Sequence, residues 1–475
     1  MSTTSQARGR IDALLDENSF IEIGARVKAR STDFNLAQVE TPSDGVVTGY
    51  GVIDGNLVYV YAQDAAVLGG SIGEMHAKKI VCLYDLALKT GAPVIALIDS
   101  AGLRLQEGVD ALQAFGEIYL SQVNASGVIP QIAGIFGNCG GGLSVLSSLS
   151  DFAFMEQKNA KLFLNAPNAL DNNYTEKCDT AGADFQSREA GTVDFVGEEA
   201  DVLAQIRHLV TLLPSNNEAN DAIEECTDDL NRTCEGLEGA AADPALFFTM
   251  ISDGSEFFEV KRDYAKCMVC GFIRLNGATV GVIGNRSALF DENGKEIEKF
   301  DGVICAKGAE KAADFVKFCD SFDIPILTAT NVKGFKACMK GEKRLPRAVA
   351  ELTAAFAGAT VPKVNVITEK AYGSAAIVMN SPALGADLTI AWPDAEIGTM
   401  DAKLAAKILC ANDAAGEAKC AADYAAKQTS VTGAAERGYV DEIIEPADTR
   451  KYVIGALEML YTKREDRPAK KHSAV

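Results

Sequence analysis

Hydrophobic positions along this chain change period from segment to segment. VVTGYGVI (46–53), LVYVYAQ (57–63), VIALID (94–99) and IAGIF (132–136) are short runs rich in β-branched and aromatic residues. Gly, Asp or Pro closes or flanks them, the pattern of strands. EMHAKKIVCLYDLALK (74–89) and VDALQAFGEIYLSQV (109–123) instead repeat their apolar residues every three to four positions, as helices do. Strands alternating with helices of this length predict an α/β fold with parallel strands.

The same alternation occurs twice. GAPVIALIDSAGLRLQ (91–106) and IPQIAGIFGNCGGG (129–142) correspond to DIPILTATNVKGFK (323–336) and VPKVNVITEKAYGS (361–374). Pro93 and Pro130 are 37 residues apart, as are Pro325 and Pro362. Gly102 pairs with Gly334 and Gly141 with Gly373, all at one offset of 232. Upstream, GYGVIDGNLVYVYAQD (49–64) is echoed by VCGFIRLNGATVGVIGNRS (269–287) at an offset read as 220, with a 12-residue insertion around FDENGKEIEKFDG. Constant register across several Gly and Pro positions indicates an internal duplication. The polar, acidic stretch 214–246 reads as the linker, giving domains at 1–225 and 226–475.

Composition narrows the function. Apolar residues make up 48% and charged residues 23%, as in soluble globular proteins. No apolar run approaches the roughly 18 residues of a membrane span, and MSTTSQARGRID lacks a signal-like apolar core. The expectation is a cytoplasmic protein. A net charge of −21 argues against nucleic acid as partner. The twelve cysteines are irregularly spaced, which suggests small buried residues in a reducing compartment rather than disulfides. Cys267 and Cys270 form a CxxC without a second pair, so they read as two strand residues and no metal site is expected. Only His76, His208 and His472 are available as imidazole bases, and none adjoins a nucleophile motif.

The candidate chemistry lies in glycine turns. In each half one strand ends in a polar residue and glycine (IDSAG, 98–102; TNVKG, 330–334). A second ends in glycine before a helix (FGNCGGGLSVL, 136–146; EKAYGSAAIVM, 369–379). Such turns leave backbone N–H groups without partners, and two aimed at one point stabilise an oxyanion by about 3–4 kcal/mol per donor. Two such sets with no histidine base suit a reaction in which a substrate handles the proton.

Long stretches resemble the biotin-dependent acyl-CoA carboxyltransferase family, which includes propionyl-CoA carboxylase beta subunits, methylmalonyl- and glutaconyl-CoA decarboxylase alpha subunits, and transcarboxylase. They are DGVVTGYGVIDG (44–55), GGSIGEMHAKKI (69–80), DSAGLRLQEGVDAL (99–112), ASGVIPQIAGIFGNCGGG (125–142), KAYGSAAIVMNS (370–381) and GADLTIAWPDAEIG (385–398). The resemblance implies two tandem crotonase-like (ClpP/crotonase) domains. It puts the acyl-CoA on the N-terminal domain and biotin on the C-terminal one, with an active site shared between subunits of a dimer-based oligomer, usually a hexamer. It implies Gly141 and Gly142 as amide donors to the thioester enolate, with Leu103 as second donor. It implies Gly373, Ser374 and Ala375, with Phe335, around the ureido oxygen of biotin; Ser374 replaces the family's usual glycine.

The chain has no biotin-attachment AMKM-like sequence and no Gly-rich ATP loop. The resemblance therefore implies carboxybiotin on a separate carrier protein, and biotin carboxylase or membrane decarboxylase subunits as partners. The cysteine-rich, lean chain tilts the choice toward a decarboxylase. Departures from the family include VKGFKACMKG and the basic cluster Lys333, Lys336, Lys340, Lys343, Arg344 and Arg347, expected either to meet CoA phosphates or an acidic carrier or to be a solvated face. Ile377 stands where many relatives have an acidic residue. Asp99, Arg104, Gln106 and Glu107 are read as shaping their loop, with contact to substrate as the alternative for each. A non-catalytic carrier scaffold and a crotonase-type hydratase or isomerase are the alternatives. The second would need a carboxylate base beside one turn.

Overall fold

The computed structural model describes residues 5–291, 293–410 and 416–468; His472 and part of the basic tail lie outside them, as does Glu292 of the insertion. The chain divides into two compact units, 1–222 and 223–475.

In the first unit, α1 (Gln6–Leu14) precedes β1 (Ile21–Ile23), β2 (Val46–Ile53) and β3 (Asn56–Gln63). Then follow α2 (Glu74–Thr90), β4 (Val94–Ser100), α3 (Val109–Ala125), β5 (Gln131–Gly140) and α4 (Gly142–Ser148). The unit closes with β6 (Phe152–Glu156), β7 (Lys161–Phe163), β8 (Phe195–Gly197) and α5 (Glu199–Leu212). The sheet order is β1-β2-β3-β4-β5-β6-β8, with β7 pairing β5. The β2–β3 hairpin is antiparallel, and from β3 onward every pairing is parallel. β4 and β5 read as almost unbroken apolar runs because, like most parallel strands, they are covered on both faces. Ile80, Leu83 and Tyr84 of α2 and Phe115 and Ile118 of α3 are buried in the same core cluster as Val94, Ile98 and Ile135.

The second unit repeats this plan. β9 (Phe258–Val260), β10 (Met268–Leu275) and β11 (Ala278–Asn285) lead to the small hairpin β12 (Ala288–Phe290) and β13 (Glu296–Lys299). α6 (Ala306–Ser321), β14 (Ile326–Val332), α7 (Leu345–Gly358), β15 (Lys363–Tyr372) and α8 (Gly373–Ile377) follow. Then come β16 (Leu388–Ala391), β17 (Glu396–Gly398) and β18 (Glu442–Ile443). Read from the other edge, the order β9-β10-β11-β14-β15-β16-β18, with β17 on β15, matches the first sheet strand for strand. The pairing of β4 with β5 slips between Ile98 and Ser100, and that of β14 with β15 slips between Thr330 and Val332, again 232 residues apart. The insertion is the β12–β13 hairpin.

Three expectations need correction. The upstream offset is 222, not 220: the hairpin turn Asp54-Gly55 corresponds to Asn276-Gly277, all four at positive φ. The intervening insertion therefore amounts to ten residues, the difference between 232 and 222. The acidic stretch 214–246 is not a free linker over its whole length, since Cys234, Leu237 and Ala240 join the second unit's core. Arg450, fully buried, holds that stretch in place: it reaches Asp229 O at 3.4 Å and Asp228 Oδ2 at 3.5 Å, besides Ile251 O at 2.5 Å and Asp253 Oδ1 at 2.6 Å. The cysteines are not all buried thiols either. Cys82, Cys178 and Cys338 are exposed, and Cys410 and Cys420 are joined as a disulfide. No helix among the described residues is long and apolar enough to cross a membrane.

Replacing Arg450 with Met leaves Asp253 and Asp228 without their buried partner, which costs about 3–5 kcal/mol. Urea unfolding of Arg450→Met is expected to show that loss in the second unit's transition; a transition moved by less than about 1 kcal/mol would refute the assignment.

Candidate active site

In the first unit β4 ends at Ser100, and the chain turns through Gly102 at φ +93°. Leu103 then forms a one-residue parallel bridge with Ile72. Ile72 N donates to Gly102 O at 2.8 Å and Arg104 N donates to Ile72 O at 2.9 Å. A parallel bridge of this kind uses the groups flanking Leu103 and turns its own N–H the other way. Leu103 N–H makes no hydrogen bond within the described structure.

The adjacent strand β5 delivers the second turn. Gly141 adopts φ +61°, which disfavours any side chain, and Gly142 opens α4. Here one expectation fails: Gly141 N–H donates to Phe163 O at 2.9 Å, because β7 extends its pairing one residue past β5. That amide is not available to an oxyanion. Gly142 N–H has no partner within the described structure, while Gly142 O accepts from Tyr119 Oη at 2.6 Å.

The second unit builds the same device. Gly334 carries the turn at φ +153°, and Ile304 N donates to Gly334 O at 3.0 Å. Lys336 N donates to Ile304 O at 2.9 Å, so Phe335 is bridged to Ile304 as Leu103 is to Ile72, both residues displaced by 232. Gly373 has the same φ of +61° as Gly141. Phe335, Ser374 and Ala375 have no backbone N–H bond within the described structure. They line one cleft of about 490 Å³ together with Gly334, Gly373 and Lys333. Lys336 is not among the lining residues. Ile377 ends α8 and is 44% exposed.

The cleft also contains residues that the sequence did not single out: Lys370, Tyr372, Thr399, Met400, Asp401 and Leu404. Tyr372, at the end of β15, contacts Glu396 through its hydroxyl. Burial, reinforced by that carboxylate, raises the phenol well above its ordinary range. Asp401 is the carboxylate among the lining residues, and its side chain caps a helix by accepting from Lys403 N at 3.0 Å and Leu404 N at 3.3 Å. An Asx cap of this sort was the one available sequence signal for this loop.

Behind Leu103 lies a buried polar cluster. Arg104 Nη1 sits 2.6 Å from Asp44 Oδ1 and 2.8 Å from Glu107 Oε1, and Nη2 donates to Ser71 O at 2.7 Å. Glu107 in turn accepts from Glu74 N at 2.7 Å, capping α2. These groups hold the turn from behind, as expected for Arg104 and Glu107. Asp99 is held by Arg10 at 3.2 Å, and Gln106 is exposed on the loop. His76 is completely buried, with Nδ1 2.9 Å from Asp44 O and Nε2 3.3 Å from Gln63 Nε2. Burial, then Arg104 and Lys79, drive its pKa down to about 3, so the ring stays neutral. His208 lies on α5. The basic cluster is exposed: Arg344 pairs with Glu310 and Arg347 with Glu351, while Lys333, Lys336, Lys340 and Lys343 make no ion pair among the described residues.

Each of the two sheets ends in a pair of glycine turns that leave backbone N–H groups unpaired within the described structure, an arrangement able to hold an oxyanion. The chain belongs to the carboxyl transferase domain family, matched over residues 4–475. It is 40% identical to the propionyl-CoA carboxylase beta chain of Roseobacter denitrificans, covering 99% of this chain and 93% of that one. It is also 40% identical to the methylmalonyl-CoA decarboxylase subunit alpha of Veillonella parvula, covering 99% and 92%. Among solved structures, the transcarboxylase 12S hexamer with hydrolysed methylmalonyl-coenzyme A bound superposes with a TM-score of 0.91 at 37% identity. That match covers 98% of this chain and 91% of the other. The fold is thus the crotonase-like carboxyltransferase fold, twice over.

Neutral His76 has a measurable consequence. Its folded pKa lies below the unfolded value of 6.5, so its contribution is fully present above pH 6.5 and lost as pH falls toward 3. Between pH 7 and pH 5 the loss is about 2 kcal/mol. Denaturant unfolding of a His76→Gln variant should lack this acid slope, and equal slopes for variant and parent would refute the assignment.

Proposed function

We propose that this chain is the carboxyltransferase subunit of a biotin-dependent acyl-CoA carboxylase or decarboxylase. It exchanges a carboxyl group between carrier-borne carboxybiotin and the α-carbon of a short acyl-CoA of the propionyl/methylmalonyl type. The observation that carries this reading is the pair of bridged glycine turns, Leu103 with Gly142 and Phe335 with Ser374 and Ala375, repeated at one offset. The substrate class rests on the relatives, which bear propionyl-CoA carboxylase and methylmalonyl-CoA decarboxylase names at equal identity. The transcarboxylase that holds methylmalonyl-coenzyme A supports the same class.

Leu103 and Gly142 N–H groups hold the thioester oxygen as the α-carbon becomes an enolate. Phe335, Ser374 and Ala375 N–H groups hold the ureido oxygen. The cleft they line, about 490 Å³ with Met400 and Leu404 on its walls, suits a compact bicyclic urea. Biotin, when bound, supplies the carboxyl group as CO2 and then a ureido nitrogen to receive the α-proton. In carboxylation the α C–H bond breaks, the new electron pair at the α-carbon attacks CO2, and a C–C bond forms. Decarboxylation reverses these steps. The chain contributes position and polarised N–H groups, each worth about 3–4 kcal/mol. A hydratase or isomerase reading has less support: Glu107 is paired with Arg104, Asp401 caps a helix through Oδ1, and the relatives matched over the whole chain bear carboxylase and decarboxylase names.

The free lysines beside Phe335 favour an acidic carrier as the partner of the basic cluster. Changing Lys336, Lys340 and Lys343 together to Gln should raise KM for the carrier several-fold and leave KM for acyl-CoA unchanged. The reverse pattern would assign the cluster to CoA phosphates. The relatives' complexes make an oligomer, hexameric as in transcarboxylase, the expected assembly, with any membrane association through a partner subunit.

Purified protein incubated with free biotin and methylmalonyl-CoA should release CO2 and form propionyl-CoA only when biotin is present. Ser374→Ala should keep this activity within a few-fold, because the hydroxyl is not used. Ser374→Pro removes the N–H at a helix start where proline is tolerated, and should lower kcat about 10²–10³-fold. Equal activity of the two variants would remove Ser374 from the site, and no biotin-dependent turnover in the parent would overturn the function.

A further inference from the structure

Only one of the two CxxC cysteines is the strand residue expected of both. Cys270 is buried within β10, whereas Cys267 precedes that strand and places its Sγ 3.1 Å from Cys305 Sγ, 38 residues away. Both are partly accessible. Cys305 is the N-cap of α6, its sulfur accepting from Gly308 N at 3.3 Å.

The first unit shows what this position ordinarily holds. At the offset of 232, Cys305 corresponds to Gly73, Lys336 to Arg104 and Met339 to Glu107. There the start of α2 is capped by the Glu107 carboxylate with Arg104 beside it. In the second unit the carboxylate is gone, a sulfur accepts the helix N–H, and a lysine replaces the guanidinium. The hydrogen bond from Cys267, the Gly308 N–H and the Lys336 charge hold the Cys305 thiol below its ordinary pKa, with partial burial opposing them. The neighbouring residue, Ile304, is the one that bridges Phe335.

We propose that Cys267 and Cys305 are a redox modification site: hydrogen peroxide joins them in a reversible disulfide that slows turnover by displacing the turn carrying Phe335. The effect on turnover rests on the proposed function; the linkage does not. The Cys305 thiolate attacks one peroxide oxygen, the O–O bond breaks, and hydroxide leaves, giving a sulfenic acid. The Cys267 sulfur then attacks the Cys305 sulfur, the S–O bond breaks, and the departing hydroxide takes the thiol proton as water. Overall two thiols and one peroxide give one disulfide and two waters. Closing the sulfurs from 3.1 Å to about 2.05 Å moves Cys305 and removes the thiolate that caps α6. Displacement of Ile304 then carries to Phe335 N–H, and misplacing a catalytic group by about 1 Å costs as much as 10²-fold in rate.

The test uses the full chain carrying Cys410→Ser and Cys420→Ser, so that the other disulfide does not contribute. After peroxide, a non-reducing peptide map should show the peptides of Cys267 and Cys305 joined. Biotin-dependent decarboxylation should fall about tenfold, and dithiothreitol should restore it. Cys267→Ser and Cys305→Ser should each keep the fold and abolish the linkage, with Cys267→Ser instead accumulating a dimedone-reactive sulfenic acid on Cys305. No joined peptide, or a joined peptide with turnover within twofold of the reduced protein, would overturn the proposal. A reduced protein that never turns over would instead indict the proposed function, and the peptide map would still decide the linkage.

Discussion

Both halves of this chain depend on one constraint: an amide N–H at the end of a parallel strand must be left unpaired and yet be held in place. The one-residue bridges Ile72–Leu103 and Ile304–Phe335 achieve this. Each bridge spends the hydrogen bonds of the residues on either side of the donor, so the turn is fixed by two backbone hydrogen bonds while the central N–H stays free. The neighbouring strand adds a glycine at φ +61° that brings a second N–H to the same end of the sheet. The register slips before these turns, at Ile98/Ser100 and Thr330/Val332, shift the pairing so that Ser100 meets Cys139 and Val332 meets Ala371 just ahead of the glycine turns.

The two halves differ in what stands behind the turn. In the first, a fully buried Arg104 is neutralised by Asp44 and Glu107 and completed by Ser71, a network whose removal would leave charges stranded in the core. In the second, the corresponding lysine is exposed and a pair of thiols occupies the helix start. One half is therefore built to stay fixed. The other has an exposed lysine and two partly accessible thiols behind an otherwise equivalent turn, the place where we propose redox modification.

The duplication was legible in the sequence because backbone conformation demanded particular residues: Gly141 and Gly373 share a φ that side chains disfavour. The hairpin register was misread because β2 carries two glycines two residues apart, Gly49 and Gly51: Gly51 with Gly271 gave 220, where Gly49 with Gly271 and the turn pair Gly55 with Gly277 give 222. The Gly141 amide was misassigned because its acceptor, Phe163, comes from a short strand with no local signal at the glycine. Likewise the acidic stretch before the second unit hid the few apolar residues, Cys234 and Leu237, that anchor it. Contacts between residues far apart along the chain, such as Cys267 with Cys305, carry no pattern at either end.

The central claim is that the protein supplies two polarised amide sets and no base of its own. Deuterium incorporation at the α-carbon of propionyl-CoA in heavy water, with the protein present and carboxybiotin withheld or added, tests it most directly. The account predicts no incorporation above the uncatalysed rate until carboxybiotin is added, because only loss of its CO2 frees a ureido nitrogen to exchange the α-proton. Wash-in by the protein alone would reveal a protein base beside the acyl-CoA and contradict the account.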